Sequence, residues 1–299
     1  MKTVVLQTFR EHDVPDWMAR CMASVRAWAA IRGYDYEFRG DDVFDLCGEA
    51  YLAAAGGNMR TITNLARLEW IRASLKAGYE RAIWLDADTF VFDPGRFSLD
   101  VRSGYACGME VWVNPNEGRP IVRHGAHNAA LVFVGLHPDL DTMTGLIRHI
   151  AATRPIESSW QVGVQLLTGL HAGLRFPLLT NVGMFSPSVV RAVATGRTEL
   201  LRLMARENGY PIQAANLCWS FRETTGARFV ERAMDRLESS RGAVINRHLG
   251  ADAPAPLTVA DFKPNAWPRV GMGLAKWLFL RMAPVTLKNR LRAVLRRVQ

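Results

Sequence analysis

Apolar and polar positions along the chain switch between two periods, and the switch points outline its elements. Residues 3–9 (TVVLQTF) are β-branched and apolar, which predicts a buried first strand. Pro15-Asp16 opens a segment in which Trp17, Cys21, Val25 and Trp28 recur every three or four residues, and Gly33 closes it, which predicts a helix. Alternation resumes over 34–40 (YDYEFRG), a second strand. A chain that begins strand–helix–strand points to an α/β fold with parallel pairing, because parallel neighbours need a crossover. A second helix is predicted over 58–78, with Met59, Ile62, Leu65, Leu68, Ile71 and Leu75 on one stripe and Gly78 as the stop. Further strands are predicted over 82–86, 105–113, 128–135, 175–180 and 242–247, and further helices over 141–152, 159–171 and 227–240. Pro254, Pro256 and Pro264 mark a linker before a different kind of segment.

One strand carries an anomaly. In residues 80–94, ERAIWLDADTFVFDP, the apolar run Ala82-Ile83-Trp84-Leu85 ends in Asp86 and Asp88, and Phe90-Val91-Phe92 follows at once. Burying unpaired carboxylates is costly, so a metal ion, a substrate proton or a turn involving Asp93-Pro94 must compensate them. In an extended chain residues i and i+2 share a face, and ligands of α/β sheets bind at the carboxyl ends of strands. Two carboxylates converging there suit Mg²⁺ or Mn²⁺, which favour oxygen ligands shared with substrate phosphates. The spacing alone says little: Asp139 and Asp141 in HPDLDTM share it, and there Asp141 reads as a helix N-cap.

The stretch resembles the hallmark strand of the GT-A glycosyltransferases, and the likeness continues in that family's order over most of residues 1–262. VVLQT resembles the first strand, HNAALVFVG the strand after the metal motif, and WQVGVQLL the helix that often begins Asp-Gln. LLTNVGMF resembles the strand end that follows, and VINRHLG a late strand whose His completes a metal site. The resemblance implies a Rossmann-like α/β/α sandwich with a central, mostly parallel mixed sheet. It implies metal-dependent transfer of a sugar, of hexose type, from a nucleotide-diphosphate sugar to a hydroxyl of a glycan or glycolipid. Asp88 and His248 would ligate Mn²⁺ or Mg²⁺, while Asp86 would orient the ribose and reach the metal directly or through water. Gln7 and Thr8 would meet the base or ribose, Arg67 the nucleotide or diphosphate, and Asn128 the sugar. Gln161 matches the family's Gln, but Trp160 replaces the acid that often precedes it, leaving Glu157 as the candidate base if the reaction inverts. Lys263, with Pro264 and Trp267, is similar to a Lys-Pro-Trp that follows the metal His in some relatives, at longer spacing here. Arg123, His124 and His127 lack the further ligands of a zinc site and read as an acceptor-binding loop.

Two other classes compete. Asp86-Ala87-Asp88-Thr89 also fits the DxDxT motif of haloacid-dehalogenase phosphatases, with Asp86 as nucleophile. That motif usually opens its domain, and the later paired acids are absent here. A non-catalytic sugar-nucleotide-binding or membrane-docking protein has no need of Asp86, Asp88 and His248 together.

Charge divides the chain in two. Of the net +9 over 299 residues, none belongs to residues 1–262, where basic and acidic groups balance, and all of it falls after Asp261. A neutral body argues against nucleic acid as a partner. In 285–298 (VTLKNRLRAVLRRV), Leu287, Leu291, Val294, Leu295 and Val298 share one helical face, with Lys288, Arg292 and Arg296 opposite or flanking. This predicts a basic amphipathic helix over 270–299 lying on an anionic membrane, in a tail of residues 263–299 behind a catalytic domain of residues 1–262. No signal peptide is read at the start, no apolar run is long enough to span a bilayer, and Cys21, Cys47, Cys107 and Cys218 form no CxxC. A cytoplasmic enzyme held peripherally at the membrane is the expectation.

Overall fold

A computed structural model describes residues 1–115 and 120–250. Lys263, the boundary after residue 262 and the segment 270–299 expected to bind a membrane lie outside the described residues. Strand β1 (Thr3–Thr8), buried at every position, pairs in parallel with β2 (Asp35–Arg39) and with β3 (Arg81–Leu85). Helix α1 (Asp16–Arg32) crosses from β1 to β2, and the short α2 (Glu49–Ala54) and long α3 (Met59–Lys76) lead to β3. Local chemistry sets these ends. Gly33 takes the left-handed conformation, φ 66°, that stops α1, and the Asn58 side chain accepts the Thr61 N–H at the start of α3.

After β4 (Thr89–Val91), β5 (Gly104–Asn114) and β6 (Ile121–Val134) form a long antiparallel hairpin, with β6 antiparallel to β3. Helices α4 (Pro138–Thr153) and α5 (Val164–Leu174) precede β7 (Leu178–Leu179), which joins β5 in parallel. The main sheet therefore has the order β2-β1-β3-β6-β5-β7. β8 (Val182–Met184), α6 (Pro187–Thr195), α7 (Thr198–Asn208) and β9 (Ala214–Asn216) follow, and β4-β9-β8 make a small second sheet. Helices α8 (Arg222–Thr225), α9 (Ala227–Ser239) and α10 (Ala243–Asn246) close the described chain.

The main sheet is the middle of three layers, as expected. Val4, Leu6, Ala82, Trp84, Leu131 and Phe133 face a core completed by α3, α4 and α6, while Val5, Ile83, Ala130 and Val132 face a core with Val25 and Trp28 of α1. Strand alternation divides the side chains between the two cores. All four cysteines are buried and free. Among the described residues no helix is long and apolar enough to cross a membrane.

Several predicted elements differ. Residues 242–247 are not a strand but the one-turn α10, entered through Arg241 and Gly242, both at positive φ (46° and 77°). The Asn246 amide accepts the Ile212 N–H at 3.0 Å and donates to Ile212 O at 2.8 Å, so a side chain supplies what a pairing strand would. The helix expected over 159–171 breaks at Gly163 into a 3-10 turn, Ser159–Val162, and α5. A Cβ at 163 would stand 3.0 Å from Asn64 Nδ2, so the close approach of α3 requires glycine here. The strand expected over 175–180 contracts to β7 after Arg175, at φ 53°, ends α5. Helix α4 is capped by His137, whose side chain accepts the Asp139 N–H, and not by Asp141. The segment read as an acceptor loop is strand: β6 begins at Ile121, and His127 is buried within it.

Candidate active site

The carboxylate pair lies at the carboxyl end of β3, but not along an extended strand. β3 ends at Leu85, and the Thr89 N–H donates to Asp86 O at 2.9 Å, which bends residues 86–89 into a turn. The turn is tied to its neighbours. Asp86 N–H donates to Ala129 O at 2.8 Å, and Gln7 Nε2 donates to Asp86 O at 3.1 Å. Gln7 is fully buried, and its Oε1 accepts from Tyr36 OH, so it props the turn from behind and does not face a ligand as expected. Thr8 donates its hydroxyl to Gly40 O, joining the ends of β1 and β2.

The Asp86 carboxylate is partly exposed. Its Oδ1 accepts from Trp84 Nε1 at 2.7 Å and forms an ion pair with Arg67 at 3.0 Å. Arg67 lies off the apolar stripe of α3 and is nonetheless buried. Its guanidinium also donates to Asn128 O and to its own helix at Thr63 O, and it packs over the Trp84 ring. Asn128 Nδ2 donates to Asn64 Oδ1 at 2.7 Å, and Asn64 Nδ2 donates to Ser159 O at 2.8 Å. A chain of polar contacts thus runs from Asp86 through Arg67, Asn128 and Asn64 to the 3-10 turn carrying Trp160.

Asp88 is buried. Its Oδ1 accepts from Asn216 Nδ2 at 2.5 Å and its Oδ2 from the Trp219 N–H at 2.6 Å. Burial, and then the charge of Asp86, push its carboxyl well above the usual carboxylate range. The segment after β9 is shaped around it. Cys218 sits in the left-handed region at φ 54°, a conformation that costs a non-glycine residue of order 1–3 kcal/mol. Burial, then Asp88, Glu110 and Asp86, push the Cys218 thiol well up, so this one thiol lies within electrostatic range of the pair and of Glu110.

The remaining expected residues are not gathered here. His248 follows α10, where burial and then Arg247 and Arg202 push its imidazole down. Among the described residues no three His, Cys, Asp or Glu side chains are grouped to hold a metal ion, so Asp86, Asp88 and His248 do not form the expected set. Glu157 is exposed, and Gln161 Oε1 accepts the Glu157 N–H at 3.2 Å, so Gln161 serves its own turn. Glu110, in the apolar strand YACGMEVWV, carried no role in the sequence reading. A lone carboxylate among strand apolar residues was the one signal for it.

The carboxylates fit a divalent cation in part. They offer oxygen donors with Arg67 as their ion-paired cation among the described residues, and burial and then the charge of Asp86 push the Asp88 carboxyl up. Two carboxylates without a third protein ligand match a cation completed by substrate phosphates.

No protein-family model matches the chain, and no curated protein sequence matches it. Among solved structures, a glycosyltransferase involved in the glycosylation of the major capsid of PBCV-1 is similar, with a TM-score of 0.41 and 11% identity, over 79% of this chain and 98% of that one. A likeness that distant says nothing of residues or chemistry.

Proposed function

We propose that this protein is a glycosyltransferase of GT-A type, moving a sugar from a nucleoside-diphosphate sugar to an acceptor hydroxyl. The observation that carries the reading is the carboxylate turn Asp86–Asp88 at the carboxyl end of the central strand β3, beside parallel β1. Asp86 and Asp88 would hold Mn²⁺ or Mg²⁺, which when bound would neutralise negative charge on the departing nucleoside diphosphate. Arg67 fixes the Asp86 carboxylate, and Asn216 and the Trp219 N–H fix that of Asp88, so both are oriented before the donor arrives. His248 has no part in this reading. The acceptor class, a glycan or glycolipid at an anionic membrane, rests on the basic pattern of residues 270–299.

The phosphatase reading makes Asp86 a nucleophile through Oδ2, its Oδ1 being held by Trp84 and Arg67. Incubation with Mn²⁺ and a panel of UDP-, GDP- and CDP-sugars separates the readings. Nucleoside diphosphate release from one donor supports the transferase. Phosphate release from p-nitrophenyl phosphate, with every donor intact, overturns it in favour of the phosphatase, and inertness toward both supports a docking protein.

A further inference from the structure

Glu110 stands on the β5–β6 hairpin, on the strand face it shares with Trp112. Directly opposed residues of an antiparallel pair share a face, and the register sets Glu110 against Gly125 and Trp112 against Arg123. The absence of a side chain at 125 makes room: a Cβ there would lie 3.0 Å from Glu110 Oε2 and 2.6 Å from Thr168 Oγ1. Two ring contacts tie the residues beside Glu110 to the segments that hold the carboxylates. Trp112 packs on Phe221 at 5.4 Å between ring centroids, in the turn whose first residue, Trp219, donates to Asp88. Arg123 lies over the ring of the exposed Trp160 at 5.9 Å, in the turn anchored to Asn64. The segment that binds Asp88 and the turn that is wired to Asp86 therefore each contact a residue, Trp112 or Arg123, next to Glu110 on the same face of the hairpin.

Resting on the glycosyltransferase reading, we propose that Glu110 is the base that takes the proton from the acceptor hydroxyl, and that Arg123 and the exposed Trp160 seat the acceptor. The acceptor oxygen forms a bond to the anomeric carbon as the bond from that carbon to the diphosphate oxygen breaks. The electron pair of the broken bond leaves with the nucleoside diphosphate, and the hydroxyl proton passes to the Glu110 carboxylate and then to solvent. Arg123 is the cation that faces Glu110, and the Cys218 thiol lies within electrostatic range of Glu110, Asp86 and Asp88. Burial pushes the Glu110 carboxyl up to about 7, against the pull of Arg123, which suits a base working near neutrality. An exposed indole beside a carboxylate and a guanidinium suits a sugar hydroxyl acceptor, which offers both apolar C–H faces and hydrogen-bonding edges.

The test uses the full-length chain with Mn²⁺ and whichever donor of the nucleotide-sugar panel the wild type turns over. Glu110→Gln keeps the shape of the side chain and removes the base. Donor turnover is expected to fall at least about 100-fold, with the affinity for Mn²⁺-UDP or Mn²⁺-GDP unchanged within about twofold. Sodium azide, a nucleophile with no proton to lose, is expected to restore donor turnover in Glu110→Ala and give the glycosyl azide, which a purely structural role would not allow. Turnover by Glu110→Gln within about threefold of wild type overturns the assignment of Glu110 and leaves the glycosyltransferase reading standing. So does a loss matched by equal loss of nucleotide affinity. A wild type that turns over no donor overturns both.

Discussion

Asp86-Ala87-Asp88 and Asp139-Leu140-Asp141 have the same spacing and meet different surroundings. Asp139 and Asp141 lie in the first turn of α4, where unpaired N–H groups and the helix dipole favour negative charge. Each has its own partner: Asp139 accepts from Tyr105 OH at 2.8 Å, and Asp141 forms an ion pair with Arg72 at 2.8 Å. Asp86 and Asp88 share a turn with Arg67 as the one ion-paired cation among the described residues, and Asp88 is buried. The first pair is compensated by the fold and the second is left with negative charge. Spacing creates neither outcome. What decides is burial together with neighbouring charge: Asp141 is largely exposed, whereas Asp88 is buried beside Asp86.

The sharpest way to break this contrast is to neutralise one member of each pair. Asp88→Asn is expected to lower donor turnover about 10³-fold, roughly 4 kcal/mol of transition-state stabilisation. It should also remove any rise in unfolding temperature that Mn²⁺ gives the wild type. Asp139→Asn, which retains an acceptor oxygen for Tyr105, should leave both unchanged. Equal losses in the two variants would show that Asp88, like Asp139, acts through structure alone.

Arg67 supports the second contrast. Removing one partner of a buried ion pair leaves the other charge, here with Asn128 O as well, without its donor. Arg67→Met is therefore expected to cost about 3 kcal/mol in urea denaturation, along with activity. A cost below about 1 kcal/mol would mean that water replaces the guanidinium and that Asp86 is less enclosed than the contacts indicate.

How much of this was legible depended on where the decisive partner sits in the chain. Helices α1 and α3 were legible because their apolar stripes and the stop at Gly33 lie within a few residues of what they control. Asp86 and Asp88 were found because an apolar strand ended in them, although the bend that presents them is set by Thr89 and by β6. The strand expected at 242–247 failed because Val244 and Ile245 are buried in a turn that Asn246 stitches to Ile212, 34 positions away. His248 went with it: a residue expected at a strand end stands after a helical turn, near Arg202 and Arg247. Glu110 was passed over because Gly125, Arg123 and the Cys218 segment reach it only once the hairpin and the second sheet have formed.

Acid distinguishes the two regions through His127, which sits behind the carboxylate turn. Its Nδ1 accepts the Ala129 N–H at 3.1 Å, and Ala129 O in turn accepts the Asp86 N–H. Burial pushes its imidazole from the ordinary 6.5 down to about 3. The unfolded chain therefore takes up the proton first, so stability is complete above about pH 6.5 and falls as pH drops toward 3. By pH 4 the loss from this residue is at most about 3 kcal/mol. His127→Asn, which keeps an acceptor for Ala129 and cannot titrate, should flatten the fall in unfolding midpoint between pH 6.5 and 4. His171, pushed by burial to about 4, should leave a smaller slope of the same sign. An unchanged profile in His127→Asn would assign the acid sensitivity elsewhere.

The smallest effect expected is at Asp141, and its smallness is informative. The Asp141 side chain is 80% exposed, and Arg72 also donates to Glu69 and Thr144, so losing this carboxylate strands no buried charge. Exposed pairs contribute about 0.2–1 kcal/mol, and Asp141→Asn should fall at the lower end because solvent screens the carboxylate and the α4 N-terminus keeps Asp139. Urea denaturation at low and high salt checks this: the cost should be about 0.5 kcal/mol in dilute buffer and vanish in about 1 M NaCl, where screening extends over only a few ångströms. Donor turnover should match wild type at both. A cost that survives high salt would mean that Asp141 holds α4 through its hydrogen bond to Arg72 and not through charge, and the two carboxylate pairs would then differ in exposure more than in compensation.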